Sequence, residues 1–275
     1  MKSLSVVLFA VLGAASLSAQ THSLVKQWET EPTLKVPESV LCDAGRGVLF
    51  VTNIDGEPWA DDGKGSIAKV GLDGKVIATD WVTGLSAPKG MGLRGNQLYV
   101  ADIDRVVVID VEKGAIVEKI PVAGAHGLND ITLGADGTIY VSDSKDKKIY
   151  SIQKGKASLL IEGLQGPNGV HVRDGQLYFM DNGSLYRHGA AGEKVLVSTG
   201  KEGNGDGLES VGGGEFLITY WQGVIDYAKA DGSRETLLDT SAAKVSSADL
   251  GYDAAHRILY IPTFFKNTVV AYELK

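Results

Sequence analysis

The chain has a single cysteine, Cys42, among 275 residues. It therefore has no intrachain disulfide and no paired-Cys metal site. Its neighbours Val40 and Leu41 suggest a buried, inert thiol and not a nucleophile. Five histidines (His22, His126, His171, His188 and His256) are scattered without ligand spacing. No Gly-x-Ser-x-Gly elbow, His-Glu-x-x-His motif or phosphate loop occurs. No block of Lys or Arg is found either, and 27 basic residues face 34 acidic ones, for a net charge of −7. That balance gives no electrostatic footprint for nucleic acid and no basic face for anionic lipid. Helical periodicity is nearly absent, and past the first residues no apolar run is long enough to span a bilayer.

The N-terminus reads as a targeting segment. Lys2 precedes a short apolar run at 6–12, and small residues follow up to Ala19. Residues 1–19 are expected to be a signal peptide cleaved near Ala19, delivering the product to the periplasm or outside the cell. Residues 20–275 would form the mature protein. Without Lys2 it carries 26 bases against 34 acids, a net charge of −8.

One phrase repeats in that remainder: a turn with Gly, a strand of the form Leu-Tyr-Val, often an Asp or Asn, then a second strand. Copies stand at 48–55, 97–104, 138–145, 176–183, 215–222 and 258–265. Six copies about 40 residues apart match the blade length of a propeller built from four-stranded sheets. The fold class expected is all-β, a six-bladed β-propeller in one domain. The last copy ends one strand short of a blade, and residues 23–28 offer a free strand. Pairing the two closes the ring and removes both exposed edges.

The residue opening each innermost strand points to the central channel. Aligning the repeats gives Glu38, Lys89, Asn129, Asn168, Asp206 and Ala248 at that place. Converging carboxylate and amide oxygens suit a hard cation. The same residues equally suit a wet polar channel, where Lys89 would pair with Glu38 or Asp206 or hold an anionic ligand. Asp102, Asp143 and Asp181 recur once per blade after the second strand. That regularity fits turn capping and not catalysis.

The phrases Pro-Glu-Ser, Leu-Asn-Asp, Pro-Asn-Gly and Gly-Asp-Gly at these positions resemble the senescence-marker/gluconolactonase/luciferin-regenerating superfamily of six-bladed propellers. The resemblance spans essentially the whole mature chain. It implies one divalent cation, calcium or zinc with manganese as a third candidate, on Glu38, Asn168 and Asp206. It further implies Asp206 as general base for hydrolysis of a lactone or related ester, and Asn129 near the substrate. Blades two and three also resemble the NHL repeat, a module often used only for binding. The alternative is thus a non-catalytic propeller holding a small molecule or an exported protein partner.

Loops on the channel's entry face include residues 53–65, 220–223 and 264–267. They bring Trp59, Trp221 and Phe264 either to the channel mouth, shielding a ligand from water, or, for the last two, between blades. The expected substrate-binding set is Asn129, Lys89, Trp59 and Trp221. The whole is expected to act as a monomer on a small molecule, with no nucleic acid and no membrane insertion.

Overall fold

Strands near the middle of each repeat read as continuous apolar runs, and the outermost strands read as mixed. Arg105–Asp110 (RVVVID) buries all four of its central residues, whereas the neighbouring Ala115–Pro121 (AIVEKIP) is mostly exposed. A strand covered on both faces loses the polar half of the usual alternation. In this chain the cover comes from adjacent sheets. The computed structural model describes residues 21–201, 203 and 205–275, and the expected signal peptide lies outside them.

Among the described residues twenty-four strands form six antiparallel sheets of four. Their innermost strands are Pro37–Asp43, Pro88–Arg94, Leu128–Leu133, Pro167–Arg173, Gly205–Gly212 and Gly251–Asp253, taken below as blades one to six. The architecture is the expected six-bladed propeller. Blade six is completed by Leu24–Glu29, whose Leu24 faces Leu274 and whose Glu29 faces Val270. The Trp28 indole then donates to the Leu72 carbonyl in blade one at 2.9 Å, tying the closing strand across the seam.

Each blade-to-blade interface carries its own apolar cluster. Phe50 and Ile67 of blade one pack with Leu98 and Val107 of blade two. Val51 and Ala68 of blade one pack with Tyr260 and Val269 of blade six. No sheet buries its faces alone, so the ring is the unit of stability.

The recurrent acids do the capping expected of them. Asp102 is buried and accepts the backbone N–H groups of Ser86 and Ala87 at 2.9–3.1 Å. Asp143 accepts from His126, Lys145 and Asp146, and Asp181 from Gln165 and Gly166. Asn53 performs the same service for Lys35. In every case the acceptor lies on the second strand, and at least one donor lies two to four residues before a channel residue. These side chains therefore set where the innermost strand begins.

Asp102→Ala strands two buried donors and should cost about 2–4 kcal/mol in urea unfolding. Asp102→Asn keeps an acceptor and should cost less than half as much. Equal losses in the two variants would show that the carboxylate's role is not capping.

Candidate functional site

Five innermost strands slip register at the same point. The slips fall between Pro37 and Val40, Pro88 and Met91, Leu128 and Ile131, Pro167 and Val170, and Gly205 and Leu208. Each is a bulge, three steps on the inner strand against two on its partner. A bulge re-aims side chains, and here it does so at Glu38, Lys89, Asn129, Asn168 and Asp206. All five line one cavity of about 560 Å³, together with Trp59, Trp221, Ser144, Phe264 and Phe265. Every site residue expected from the sequence is thus brought to one place. Ala248 is buried and packs with Ile54, Ala87 and Phe264. His126 lies outside the lining, against Asp146 at 2.7 Å.

Lys89 is the only buried basic side chain among the described residues. Its ammonium lies 3.7 Å from Glu38 Oε1 and 4.3 Å from the centre of the Trp59 ring. Glu38 Oε2 is buried with no hydrogen-bond partner, and no other described side-chain atom is left so. Asn168 Nδ2 donates to Asp206 Oδ1 at 3.1 Å. Asn129 Nδ2 donates to Ser144 Oγ at 2.9 Å, which in turn donates to the Pro167 carbonyl at 2.7 Å. Burial pushes the Glu38 carboxyl up to about 7; Lys89 opposes that rise and Asp249 adds to it. Asp206 is pushed well above the usual carboxylate range by burial, then by Glu38 and Asp249.

A second layer lies directly beneath, and the sequence reading assigned it no role. Asp130 follows Asn129 within the blade-three bulge, Asp249 follows Ala248, and both are buried. Asp130 accepts the N–H of Ile131 and, from blade four, the N–H of Val170, both at 2.7 Å. Asp249 accepts from Leu250 N–H and from the Ser39 hydroxyl of blade one at 2.5 Å. A Cβ at Gly90 would fall 2.4 Å from Asp130 Oδ1, and one at Gly207 would fall 2.4 Å from Asp249 Oδ1. The available signal was the Gly one residue after Lys89, Asn168 and Asp206. Burial raises Asp249 to about 6 and Asp130 well above its ordinary value.

These two acids also line a smaller cavity of about 280 Å³ on the opposite half of the channel, with His171 and Glu209. His171 Nδ1 stands 3.4 Å from Glu209 Oε2. Burial raises Glu209 to about 8, with Asp249 adding to it, and lowers His171 to about 4, with Arg173 adding to that. Cys42 lines the same half, and burial holds its thiol up at about 11, in keeping with an inert group.

Among the described residues no three His, Cys, Asp or Glu side chains cluster in metal-holding geometry. A cation in the larger cavity would thus rest on Glu38, Asp206 and the amide oxygen of Asn168. The donor set fits a hard cation: two carboxylates, one neutral amide, and a buried oxygen with nothing else to bind.

No protein family's sequence profile matches the chain, and no curated protein matches it by sequence. Solved structures do share its architecture. A protein assigned as a gluconolactonase superposes with a TM-score of 0.69 at 17% identity, covering 93% of each chain. Virginiamycin B lyase from Staphylococcus aureus superposes at 0.66 and 15% identity, covering 92% of this chain and 99% of that one. Identities this low establish a common fold and nothing finer.

The raised acids set a pH dependence. A carboxyl whose folded pKa exceeds its unfolded value binds more protons when folded, so stability falls as pH rises between the two values. His171 has the opposite sign, but its window closes at its ordinary value of 6.5. Above that, Glu209 still opposes folding up to about 8. Its side chain keeps 31% of its exposure, and solvent screens part of the effect. Urea midpoints of chelator-treated protein should fall from pH 6.5 to 8. Glu209→Gln should flatten the slope by about 0.5 kcal/mol per pH unit. A slope unchanged in the variant would remove Glu209 from the account.

Proposed function

We propose that this chain is an exported, divalent-cation-dependent hydrolase of a lactone or related ester, working in the larger cavity as a monomer. The observation that carries the reading is the orphaned Glu38 Oε2 in a cavity it shares with Asp206 and Asn168. Charge supports it. Glu38, Asp130, Asp206 and Asp249 are all buried around the channel, and Lys89 is the one buried cation beside them. Buried charges without partners are costly. A calcium, zinc or manganese ion held by Glu38, Asn168 and Asp206 would offset more of that cost than Lys89 alone.

When bound, such an ion supplies Lewis acidity toward an ester carbonyl and toward water. The chain's own residues supply the rest. Asp206 takes the proton of the attacking water as general base. Asn129 spends its amide nitrogen on Ser144, which leaves its oxygen to accept from a substrate hydroxyl. Trp59 and Trp221 wall the cavity and exclude bulk water. Lys89 opposes, from one side, the rise that burial imposes on the Glu38 carboxyl. The fold's other known users include proteins with a hydrolase and a lyase name, which suits a catalytic channel without assigning its reaction.

One observation favours the alternative, an NHL-like propeller that binds a small molecule or exported partner without turnover. Lys89 does stand near Glu38, as that reading requires. At 3.7 Å, however, the pair is well beyond the roughly 2.7–2.9 Å of a charge-assisted hydrogen bond. It also leaves Oε2 unpaired, so Lys89 does not complete the site.

Calorimetric titration of Ca²⁺, Zn²⁺ and Mn²⁺ into chelator-treated protein should show one site, absent in Asp206→Ala. Against a panel of lactones and aryl esters, that variant should lose about 10²–10⁴-fold in kcat/KM. Failure of the unaltered protein to bind any of the three ions would overturn the hydrolase reading.

A further inference from the structure

Gly127 and Lys145 occupy one volume. A Cβ at Gly127 would lie 2.6 Å from Lys145 Cγ, 2.8 Å from its Cβ and 2.9 Å from its Cδ. The bare glycine admits the lysine stem across the entry to blade three. The stem carries the ammonium to 5.1 Å from the centre of the Trp59 ring, which Lys89 approaches at 4.3 Å. Its base is fixed, since the Lys145 N–H is held by Asp143 at 3.1 Å and the preceding Ser144 accepts from Asn129. Its tip is free. Among the described residues no carboxylate lies within ion-pair distance of Lys145. The nearby acids are engaged elsewhere: Asp146 with His126, and Asp61 with the Ser86 hydroxyl at 2.5 Å and Arg105 at 2.9 Å. Two ammonium groups beside one indole repel each other, and an anion placed there relieves both.

Blade six stands across the ring from blade three and, with Trp221 of blade five beside it, presents the opposite chemistry. Phe264 and Phe265 meet edge to face at 4.7 Å, and Trp221 meets them at 5.8 and 6.3 Å. Phe265 is 67% exposed, yet it lines the cavity. Phe264 holds φ at +53°, a left-handed value that a bulky side chain adopts only under constraint. The segment is thus held in a costly conformation that sets aromatic rings on the cavity wall.

We infer that the cavity selects an amphipathic carboxylate: an apolar ring or chain laid on Trp221, Phe264 and Phe265, with a free carboxylate held by Lys145 at the opposite lip. A monoanion fits better than a phosphate dianion, because Lys89 already faces Glu38 and the floor of carboxyls repels further negative charge. This rests on the hydrolase reading only for the ester that the same molecule would present to Asp206.

The test is binding of 4-phenylbutanoate, its uncharged amide and butanoate to the full chain after chelator treatment, followed by tryptophan fluorescence. The acid should bind about tenfold tighter than the amide. Lys145→Gln should erase that preference and Lys145→Arg should restore it, with melting curves confirming that both fold. Phe265→Ala should narrow the gap between 4-phenylbutanoate and butanoate. Equal binding of acid and amide, or a preference unchanged in Lys145→Gln, would overturn the inference. Cation titration in parallel separates the two readings. Cation binding without an acid preference sinks this inference and spares the hydrolase. An acid preference that depends on Lys145, without cation binding, does the reverse.

Discussion

The constraint on which the rest depends is the lack of room at the axis. Six innermost strands converge so closely that a single methyl group cannot be added at Gly90 or Gly207, where it would sit 2.4 Å from a carboxylate oxygen. The space saved there is filled by Asp130 and Asp249, which act as straps. Asp130 of blade three packs on blade two and accepts from Val170 of blade four. Asp249 of blade six packs on blade five and accepts from Ser39 of blade one. The ring is therefore held at its centre as two sets of three blades, two-three-four and five-six-one. The sequence shows the same period at these positions, Gly90, Asp130 and Gly169 and then Gly207, Asp249 and Ser39.

Straps made of acids have an electrostatic consequence for whatever lies above them. Each carboxylate is desolvated, and Asp249 raises the acids around it: Glu38, Asp130, Asp206 and Glu209. An apolar strap of similar volume would pack without that cost. The hydrogen bonds that Asp130 and Asp249 accept across blades offset part of it. The remainder falls on Glu38 and Asp206, which sit one layer up and have few donors of their own. Mechanical closure of the ring and the raised carboxyls of its upper cavity thus share an origin in Asp249.

The parts legible in the sequence were those that repeat. Blade spacing, the closing strand and the capping acids at 102, 143 and 181 each occur once per repeat or follow from a missing one. The ring of Glu38, Lys89, Asn129, Asn168 and Asp206 was legible for the same reason. What escaped lay one step off the aligned position or was set by geometry alone. Asp130 and Asp249 are one residue past the aligned position, and both reach the lower half of the channel, Asp130 from within a bulge. Lys145 comes close to Trp59 because a loop from blade one reaches blade three, a contact between residues 86 positions apart in the sequence. Trp221 and Phe264 had two expected places, rim or blade interface. They occupy both, since each packs with Ile54, Ala87 and Ala248 while facing the cavity. His171, read as one of several scattered histidines, stands beside Glu209 in the lower channel.

Polar groups elsewhere in this fold are carefully satisfied. Asp102, Asp143 and Asp181 are as buried as Glu38, yet each accepts two or more backbone donors. Thr219 is fully buried and both accepts from Gly207 and donates to Ala248. Against that background an unpaired Glu38 oxygen is not slack packing, because the same blade satisfies Ser39, the next residue, and Asn53, on the paired strand. Local rules are broken where another requirement overrides them. Here the break coincides with a convergence of polar side chains, the aromatic wall of Trp221 and Phe264, and a phenylalanine held at positive φ. These departures meet in the cavity for which the hydrolase reading is proposed, and the lining residues of the lower one include no buried unpaired side-chain oxygen, no such aromatic wall and no residue at positive φ.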